Sequence, residues 1–282
     1  MIIVDLFGGM GNQMFQYAAA YRLALAQNTE LVLNTYALRH DRLRNFSLSP
    51  YWINNQIVDF YLPEASALKK YIYGIPGKIH HFNEKVEFEF DPEIIKLRDH
   101  QHLCGYWQNP KYFEDIREVI QSVYSLRSPS SAFLHLQKNI RSGLSVSMHI
   151  RRGDFLGKSF VRHKHDVCDV KYYEDAIQHI NSLIEADYTL YIFSDDAYWS
   201  RQHFSKYNNV HFIQLPSDAE ELILMSECRH NIIANSTFSW WAAWLNRHTD
   251  KIVIAPEPWL KNSSLPYQHL LPASWIQLKV NL

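Results

Sequence analysis

Cysteine is scarce: Cys104, Cys168 and Cys228 are the only ones in 282 residues. They are far apart, odd in number and form no Cys-x-x-Cys. That excludes a disulfide scaffold and a thiolate zinc site, and sets the expectation of a reducing, cytosolic compartment. Neither sign of charge is in excess. With 28 basic and 29 acidic residues the formal net charge is −1, so neither nucleic acid nor an anionic membrane surface is an expected partner. No apolar run approaches the roughly 18–20 residues of a membrane span. The sequence opens on Met1-Ile2-Ile3-Val4-Asp5 without a basic n-region or a signal-peptide core, and the expectation is a protein made and used inside the cell. The 15 histidines are scattered. His163 and His165 stand beside Arg162 and Lys164, but no carboxylate–histidine helix spacing suggests a metal site, and none is expected. Internal repeats and low-complexity tracts are absent.

What is present divides into two unequal patterns. Ile2–Leu6 reads as a strand, Phe7–Gln13 as a glycine-rich turn, Met14–Gln27 as a helix and Leu31–Leu33 as a returning strand: a β-α-β opening. From 35 to 100 the period is lost amid aromatics and prolines, and short helices and long loops are expected. Leu103–Trp107 reads as a strand, and Asn109 as the cap of a helix over Lys111–Tyr124. The second half alternates strictly. Strands are expected at 145–150, 189–193, 210–215, 231–234 and 251–255, with helices at 170–186, 196–206, 218–228 and 238–247. That alternation means a parallel sheet with helices on both faces. The expected domains are 1–140, 141–260 and a tail, 261–282, packing back on the fold, with the boundary between the halves near Ser128-Pro129-Ser130-Ser131 or within Lys138–Gly143.

The chemistry is concentrated where strands end, because ligands of an open α/β sheet bind at its C-terminal edge. Strand 145–150 runs into Arg151-Arg152-Gly153-Asp154. Two guanidiniums at one strand end make a fork for phosphate or pyrophosphate; an Arg152–Asp154 structural ion pair is the competing reading. Strand 189–193 ends in Ser194, Asp195 and Asp196. These resemble an acidic metal motif, but a helix cap is the better reading. Asn235-Ser236-Thr237 opens an apolar helix. One of these residues caps it, and the same helix end favours an anion, by about 0.3–1 kcal/mol when exposed and up to ~2 when partly buried. Glu221, in the first turn of its helix, is expected to face the same crevice. Trp240, Trp241 and Trp244 read as helix–sheet core. Gly9-x-Gly11 lacks the third glycine of a dinucleotide fingerprint, Met14 standing in its place, and the next strand ends in Asn34 instead of an acid, so nicotinamide and flavin cofactors are disfavoured. The glycines still allow a close backbone approach, with Asn12 and Gln13 as polar contacts; a structural tight turn is the alternative.

Three blocks together carry a resemblance. Gly8-Gly9-Met10-Gly11-Asn12-Gln13-Met14-Phe15-Gln16-Tyr17-Ala18, His149-Ile150-Arg151-Arg152-Gly153-Asp154 and Ile233-Ala234-Asn235-Ser236-Thr237-Phe238-Ser239-Trp240-Trp241 are similar, in order, to the signature blocks of the α-1,2-fucosyltransferases of glycosyltransferase family 11. The resemblance implies an α/β fold of two facing Rossmann-like domains (GT-B type) with the active site in the cleft between them. It implies a metal-independent, inverting transfer of L-fucose from GDP-β-L-fucose to the 2-hydroxyl of a terminal β-galactose, with no cofactor. The acceptor would be an O-antigen or similar oligosaccharide, free or lipid-linked, so that the protein is cytoplasmic or peripheral at the inner face of a membrane.

The resemblance also distributes roles. Arg151 would bind the β-phosphate of the leaving GDP, with Asp154 bracing the arginine loop at the reaction centre. His149 and Glu221 would read the guanine. Ser236 and Thr237 would hold the diphosphate, and Gly9, Gly11, Asn12, Gln13, Arg152, Ser194, Asp195 and Asn235 complete the expected donor contacts. His163, His165 and Asp166 are expected on the acceptor side. A base for the acceptor hydroxyl is not named; Asp5, Asp154, Asp166, Asp169 or no protein group at all remain open. Two alternatives stand beside this reading: an α-1,6- or protein O-fucosyltransferase, and a non-catalytic glycan- or nucleotide-binding protein.

Overall fold

The computed structural model describes residues 1–61, 79–152, 167–261 and 263–280. They form two compact units, Met1–Ser125 and Leu126–Leu282, each built on a parallel sheet. In the first unit β1 (Ile2–Asp5), β2 (Leu31–Asn34), β3 (Gln56–Val58), β4 (His80–Asn83) and β5 (Gln101–Cys104) lie in the order β3-β2-β1-β5-β4. In the second, β6 (Ser145–Ile150), β7 (Thr189–Ser194), β8 (Val210–Ile213), β9 (His230–Ile232), β10 (Val253–Glu257) and β11 (Ile276–Lys279) lie in the order β11-β10-β9-β6-β7-β8. All the pairings are parallel.

These orders fix where ligands can bind. In the second sheet the chain proceeds outward from β6 through β7 to β8, then returns to the other side of β6 with β9. The reversal places a topological switch point between β6 and β9. In the first sheet the reversal falls between β1 and β5. The crevice outside the strand C-termini at such a point is the binding position of open α/β sheets.

The helices are α1 (Met10–Ala26), α2 (Tyr36–Arg39), α3 (Arg117–Val123), α4 (Ser131–Arg141), α5 (Val170–Leu183), α6 (Ala197–Phe204), α7 (Asp218–Glu227) and α8 (Thr237–Leu245). Helix α8 is apolar all round, as a helix enclosed by the fold should be. Trp240, Trp241 and Trp244 are each at most 1% exposed and pack on one another. They are core, as their sequence context suggests. Strand β6 is buried along its whole length, so the alternating Ser145, Ser147 and His149 are enclosed together with Val146, Met148 and Ile150.

The regular second half follows the periodicity to within a few residues at each end. The first half departs from it. The opening helix starts at Met10, not Met14, because Gly9 is its N-cap; Gly11, Asn12 and Gln13 therefore lie in its first turn. The stretch 111–124 is not one helix but two 3-10 turns, Pro110–Tyr112 and Glu114–Ile116, followed by α3. Asn109 does cap the start, accepting the Lys111 N–H at 3.0 Å. Strands β3 and β4 lie inside the segment expected to be irregular. Both are short edge strands without a buried face, so neither leaves a hydrophobic pattern.

The units divide at Ser125/Leu126, ahead of 140/141 and close to the alternative at Ser128–Ser131. The reason is α4. Its capping residue Ser130 donates its N–H and Oγ to the carboxylate of Glu220 on α7, at 2.6 and 2.9 Å, and Arg141 pairs with Glu227 at 2.7 Å. The helix therefore belongs to the second unit. The tail contributes β11, which extends the second sheet beside β10.

Candidate active site

In the second unit the switch point gathers the arginines and the α8 start. Arg151 and Arg152 follow β6 directly. Arg151 Nη1 lies 3.0 Å from Asp195 Oδ2, and Asp195 Oδ1 accepts the backbone N–H of Arg152 at 2.8 Å. Asp195 thus fixes both the arginine's guanidinium plane and the turn that carries it. Arg152 is held differently. Its Nε is 3.3 Å from Asp196 Oδ2, and its guanidinium lies over the Trp199 ring at 4.2 Å. Asp196 also caps α6, accepting the Trp199 N–H at 3.0 Å, and Ser194 Oγ accepts the Asp196 N–H at 3.0 Å. Both aspartates are therefore spent on arginines and a helix end. The Asp154 that competed for Arg152 lies outside the described residues, as do Gly153, His163, His165 and Asp166.

Across the switch point, β9 leads into Asn235-Ser236-Thr237. Ser236 is the N-cap of α8, its Oγ accepting the Phe238 N–H at 3.3 Å, and Thr237 is the first helical residue. Amide groups and the positive end of the helix dipole thus stand at the edge where Arg151 emerges, the arrangement suited to a phosphate. Asn235 serves this turn from behind. It is buried, donating through Nδ2 to the Trp259 carbonyl at 3.1 Å and accepting from Cys168 Sγ at 3.5 Å.

His149 and Glu221 differ in reach. His149 is 4% exposed and lies against Phe238, with ring centroids 5.3 Å apart. Burial, reinforced by Arg151, pulls its pKa down to about 3, so the imidazole is neutral. Its Nδ1 has no hydrogen-bond partner among the described residues. Glu221 is only half-buried. Its Oε1 accepts the N–H of Leu215, just past β8, at 2.9 Å. Burial pushes its pKa up to about 7; the Leu215 N–H opposes that rise and the nearby Asp218 adds to it. Neighbouring Glu220, by contrast, is buried and bound to Ser130.

In the first unit the glycine turn leaves β1. Gly8 has a φ of 75°, a left-handed conformation that favours glycine. Gln13, expected at the donor, is 0% exposed. Its Nε2 donates to the carbonyls of Gly8 and Asn45 at 2.9 and 2.8 Å, and its Oε1 accepts the Ser47 N–H at 2.9 Å. It pins the turn from inside, with both ends of its amide bound to backbone. Gly11 is buried as well. Asn12 stays half-buried and accepts from Gln108 Nε2 at 3.1 Å. Among the candidate bases, Asp5 accepts from Asn34 Nδ2 at 2.8 Å and lies 2.8 Å from His102 Nε2, while Asp169 caps α5.

Sequence reasoning missed Glu84. It follows β4, and its two oxygens accept the consecutive N–H groups of Tyr106 and Trp107 at 2.7 and 3.0 Å. Burial pushes its pKa up to about 7, against the two amides, which lower it. Trp107 is fully buried with a φ of 56°, a conformation that costs a bulky residue on the order of 1–3 kcal/mol and persists only where surroundings impose it. No periodicity announces a carboxylate bound to a turn so distant in sequence.

Among the described residues no three His, Cys, Asp or Glu side chains are grouped to hold a metal ion, and no helix is long and apolar enough to cross a membrane. The chain is 30% identical to an α-1,2-colitosyltransferase of Escherichia coli over 99% of both chains. It is 31% identical to the E. coli O-antigen biosynthesis glycosyltransferase WbnK, over 97% of this chain and 99% of the other. A galactoside α-(1,2)-fucosyltransferase 2 of Hylobates lar is 28% identical, over 87% of this chain and 69% of the relative. The solved structure of NodZ α-1,6-fucosyltransferase soaked with GDP-fucose shares the fold, with a TM-score of 0.53 at 13% identity over 86% of this chain and 92% of that one. An Arabidopsis thaliana FUT1 variant in complex with GDP does so with a TM-score of 0.52 at 13% identity over 92% of this chain and 71% of that one. Two Rossmann-like α/β units are thus the GT-B fold. The profile of glycosyl transferase family 11 matches residues 1–279, and the chain belongs to that family of sugar-transferring enzymes.

Proposed function

We propose that this enzyme transfers L-fucose from GDP-β-L-fucose, with inversion, to the 2-hydroxyl of a terminal β-galactose in a glycan such as an O-antigen unit. The observation that carries the proposal is the switch point of the second sheet, where Arg151, its plane set by Asp195, emerges beside the N-terminus of α8. As the sugar–phosphate bond breaks, negative charge grows on the GDP oxygen. A fixed guanidinium and helix-start amides stabilise that charge as it develops. The acceptor oxygen attacks the anomeric carbon from the opposite side as the bond to the GDP oxygen breaks, GDP leaves with that electron pair, and the hydroxyl proton is released to solvent. The α-1,2 linkage stands in the names of both bacterial and mammalian relatives. Incubation with GDP-fucose and lactose is expected to release GDP and give an α-1,2-linked product by NMR. Hydrolysis alone, or another linkage, would overturn the assignment.

A second donor is favoured by one observation, the 30% identity to a colitosyltransferase over 99% of both chains. Colitose is L-fucose without the 3-hydroxyl, so the same diphosphate site serves both. Parallel kcat/KM measurements with GDP-fucose and GDP-colitose decide between them.

Guanine is assigned to Glu221. Its N1–H and N2–H groups are donors, and a half-buried carboxylate is the matching acceptor. Glu221→Gln keeps one oxygen for Leu215 but puts an amide donor against the base. GDP affinity is expected to fall about tenfold or more, since a hydrogen bond to a charged group contributes roughly 1.5–3 kcal/mol. Stability should move the other way. A carboxyl whose folded pKa is raised to about 7 contributes stability below its unfolded pKa and loses it as pH rises through about 7. The glutamine variant should therefore gain melting temperature over the parent at pH 8 and lose that advantage in acid. GDP binding by the parent should weaken as pH falls below about 7. A variant with unchanged GDP affinity would remove Glu221 from the guanine site.

The transfer is expected to need no metal. Arg151 and the α8 start oppose the diphosphate charge, and Asp195 and Asp196 are already paired with Arg151 and Arg152. Excess EDTA should leave the rate within about twofold, far less than the several kcal/mol a metal Lewis acid supplies. A loss restored by manganese or magnesium would show that the two aspartates exchange their arginines for an ion.

A further inference from the structure

The first sheet has its own switch point, between β1 and β5, and two aromatic rings stand on it. Phe7 comes two residues after β1, and Tyr106 two residues after β5. Their ring centroids are 4.9 Å apart at an interplanar angle of 69°. Both are only half-buried, whereas Trp107 beside them is fully buried. Core packing therefore does not account for their place.

The position of Tyr106 is imposed. Glu84 grips the N–H groups of residues 106 and 107 with both oxygens. A Cβ on Gly105 would come within 2.4 Å of Glu84 Cβ, so only glycine lets the carboxylate close on this turn. In the turn that follows Phe7 the backbone is open at Gly9. A Cβ on Gly9 would meet nothing nearer than the Arg44 guanidinium, at 3.8 Å. Asn12 and Gln108, bonded to each other at 3.1 Å, bring amide groups to the start of α1, which Gly9 caps.

We propose that Phe7 and Tyr106 form a pyranoside-binding ledge at the switch point of the first sheet, positioned by Glu84, and that this ledge seats the acceptor sugar. The weakly positive C–H groups on the apolar face of a galactopyranose rest on the negative faces of aromatic rings, and its hydroxyls take amide groups and bare backbone as partners. The acceptor role rests on the proposed transferase reading; the ledge itself does not.

Two measurements separate them. Saturation-transfer NMR with lactose and no donor reads the ledge; steady-state kinetics with GDP-fucose and lactose reads the transfer. Tyr106→Leu and Phe7→Leu are expected to raise the acceptor KM about tenfold or more and to abolish saturation of the galactose protons, with the donor KM and GDP affinity within about twofold. Tyr106→Phe keeps the ring and should hold the acceptor KM within about threefold. Glu84→Gln, which cannot accept both amides, should raise the acceptor KM with kcat largely retained; a purely structural brace would lower the melting temperature and leave KM alone. Phe7→Leu, outside the turn held by Glu84, reads the ledge if Tyr106→Leu loses GDP binding through misfolding. Normal acceptor KM and normal saturation in a folded Phe7→Leu or Tyr106→Leu variant would overturn the ledge while leaving the transferase intact. Saturation of lactose that Tyr106→Leu abolishes, in a protein that transfers no fucose, would keep the ledge and remove the reaction.

Discussion

Arg151→Lys is expected to lower kcat at least about 100-fold, because loss of one preorganised oxyanion-type donor typically costs ~10²–10³ in rate. The substitution preserves the charge, so electrostatic attraction for the diphosphate survives. What it removes is geometry. Asp195 holds Nη1 at 3.0 Å and so orients a planar fork; an ammonium has no plane to orient, and its charge sits at one point. GDP affinity should fall less than kcat, since the interaction strengthens as the sugar–phosphate bond breaks.

Arg152→Lys is the internal control. Its guanidinium is engaged by Asp196 and stacked on Trp199. Loss of that stacking should appear mainly as lower stability, by about 0.5–1 kcal/mol, with a smaller change in kcat. Near-normal turnover of a folded Arg151→Lys variant, or a larger kcat defect in Arg152→Lys, would sink the assignment of the two arginines.

The two arginines also show how far a sequence can be read. That both emerge at a sheet edge was legible, because the alternating strand pattern from Ser145 to Ile150 ends where Arg151 begins. Which of them is braced by which acid was not, since Asp195 and Asp196 reach the arginines only through the pairing of β6 with β7. The same limit applies to Gln13 and Asn235. Their identity and motif position mark a loop where backbone and ligand approach, but a motif does not reveal which way a side chain faces. Both turn inward, and each holds its own loop from within the fold.

Glu84 was illegible for a different reason. Strand β4 reads His80-His81-Phe82-Asn83 and has no buried face. Without a recognisable strand, nothing placed Glu84 at an edge. The second half was easier because its inner strands β6, β7, β9 and β10 are buried almost throughout and its helices begin with Asp169, Asp196 and Ser236, side chains that cap what they precede.

The double substitution Ser236→Ala with Thr237→Ala is expected to weaken GDP binding about tenfold or more, as one or two hydrogen bonds to a charged group contribute roughly 1.5–3 kcal/mol each. Part of the change is structural, because Ser236 Oγ accepts the Phe238 N–H at 3.3 Å and so caps α8. Removing a cap costs about 1 kcal/mol, and that share is visible without ligand as a lower melting temperature. Ser236→Thr alone retains a capping oxygen and should recover most of the stability, so a loss of GDP affinity that persists after correction for stability belongs to the phosphate. Calorimetric titration of GDP into the double variant and into Tyr106→Leu compares the two switch points directly. Under the proposed division the first loses GDP affinity and the second keeps it. The reverse result would place the nucleotide on the first sheet, where the backbone is open at Gly9 and Asn12 lies in the first turn of α1, and would make the second sheet the acceptor side.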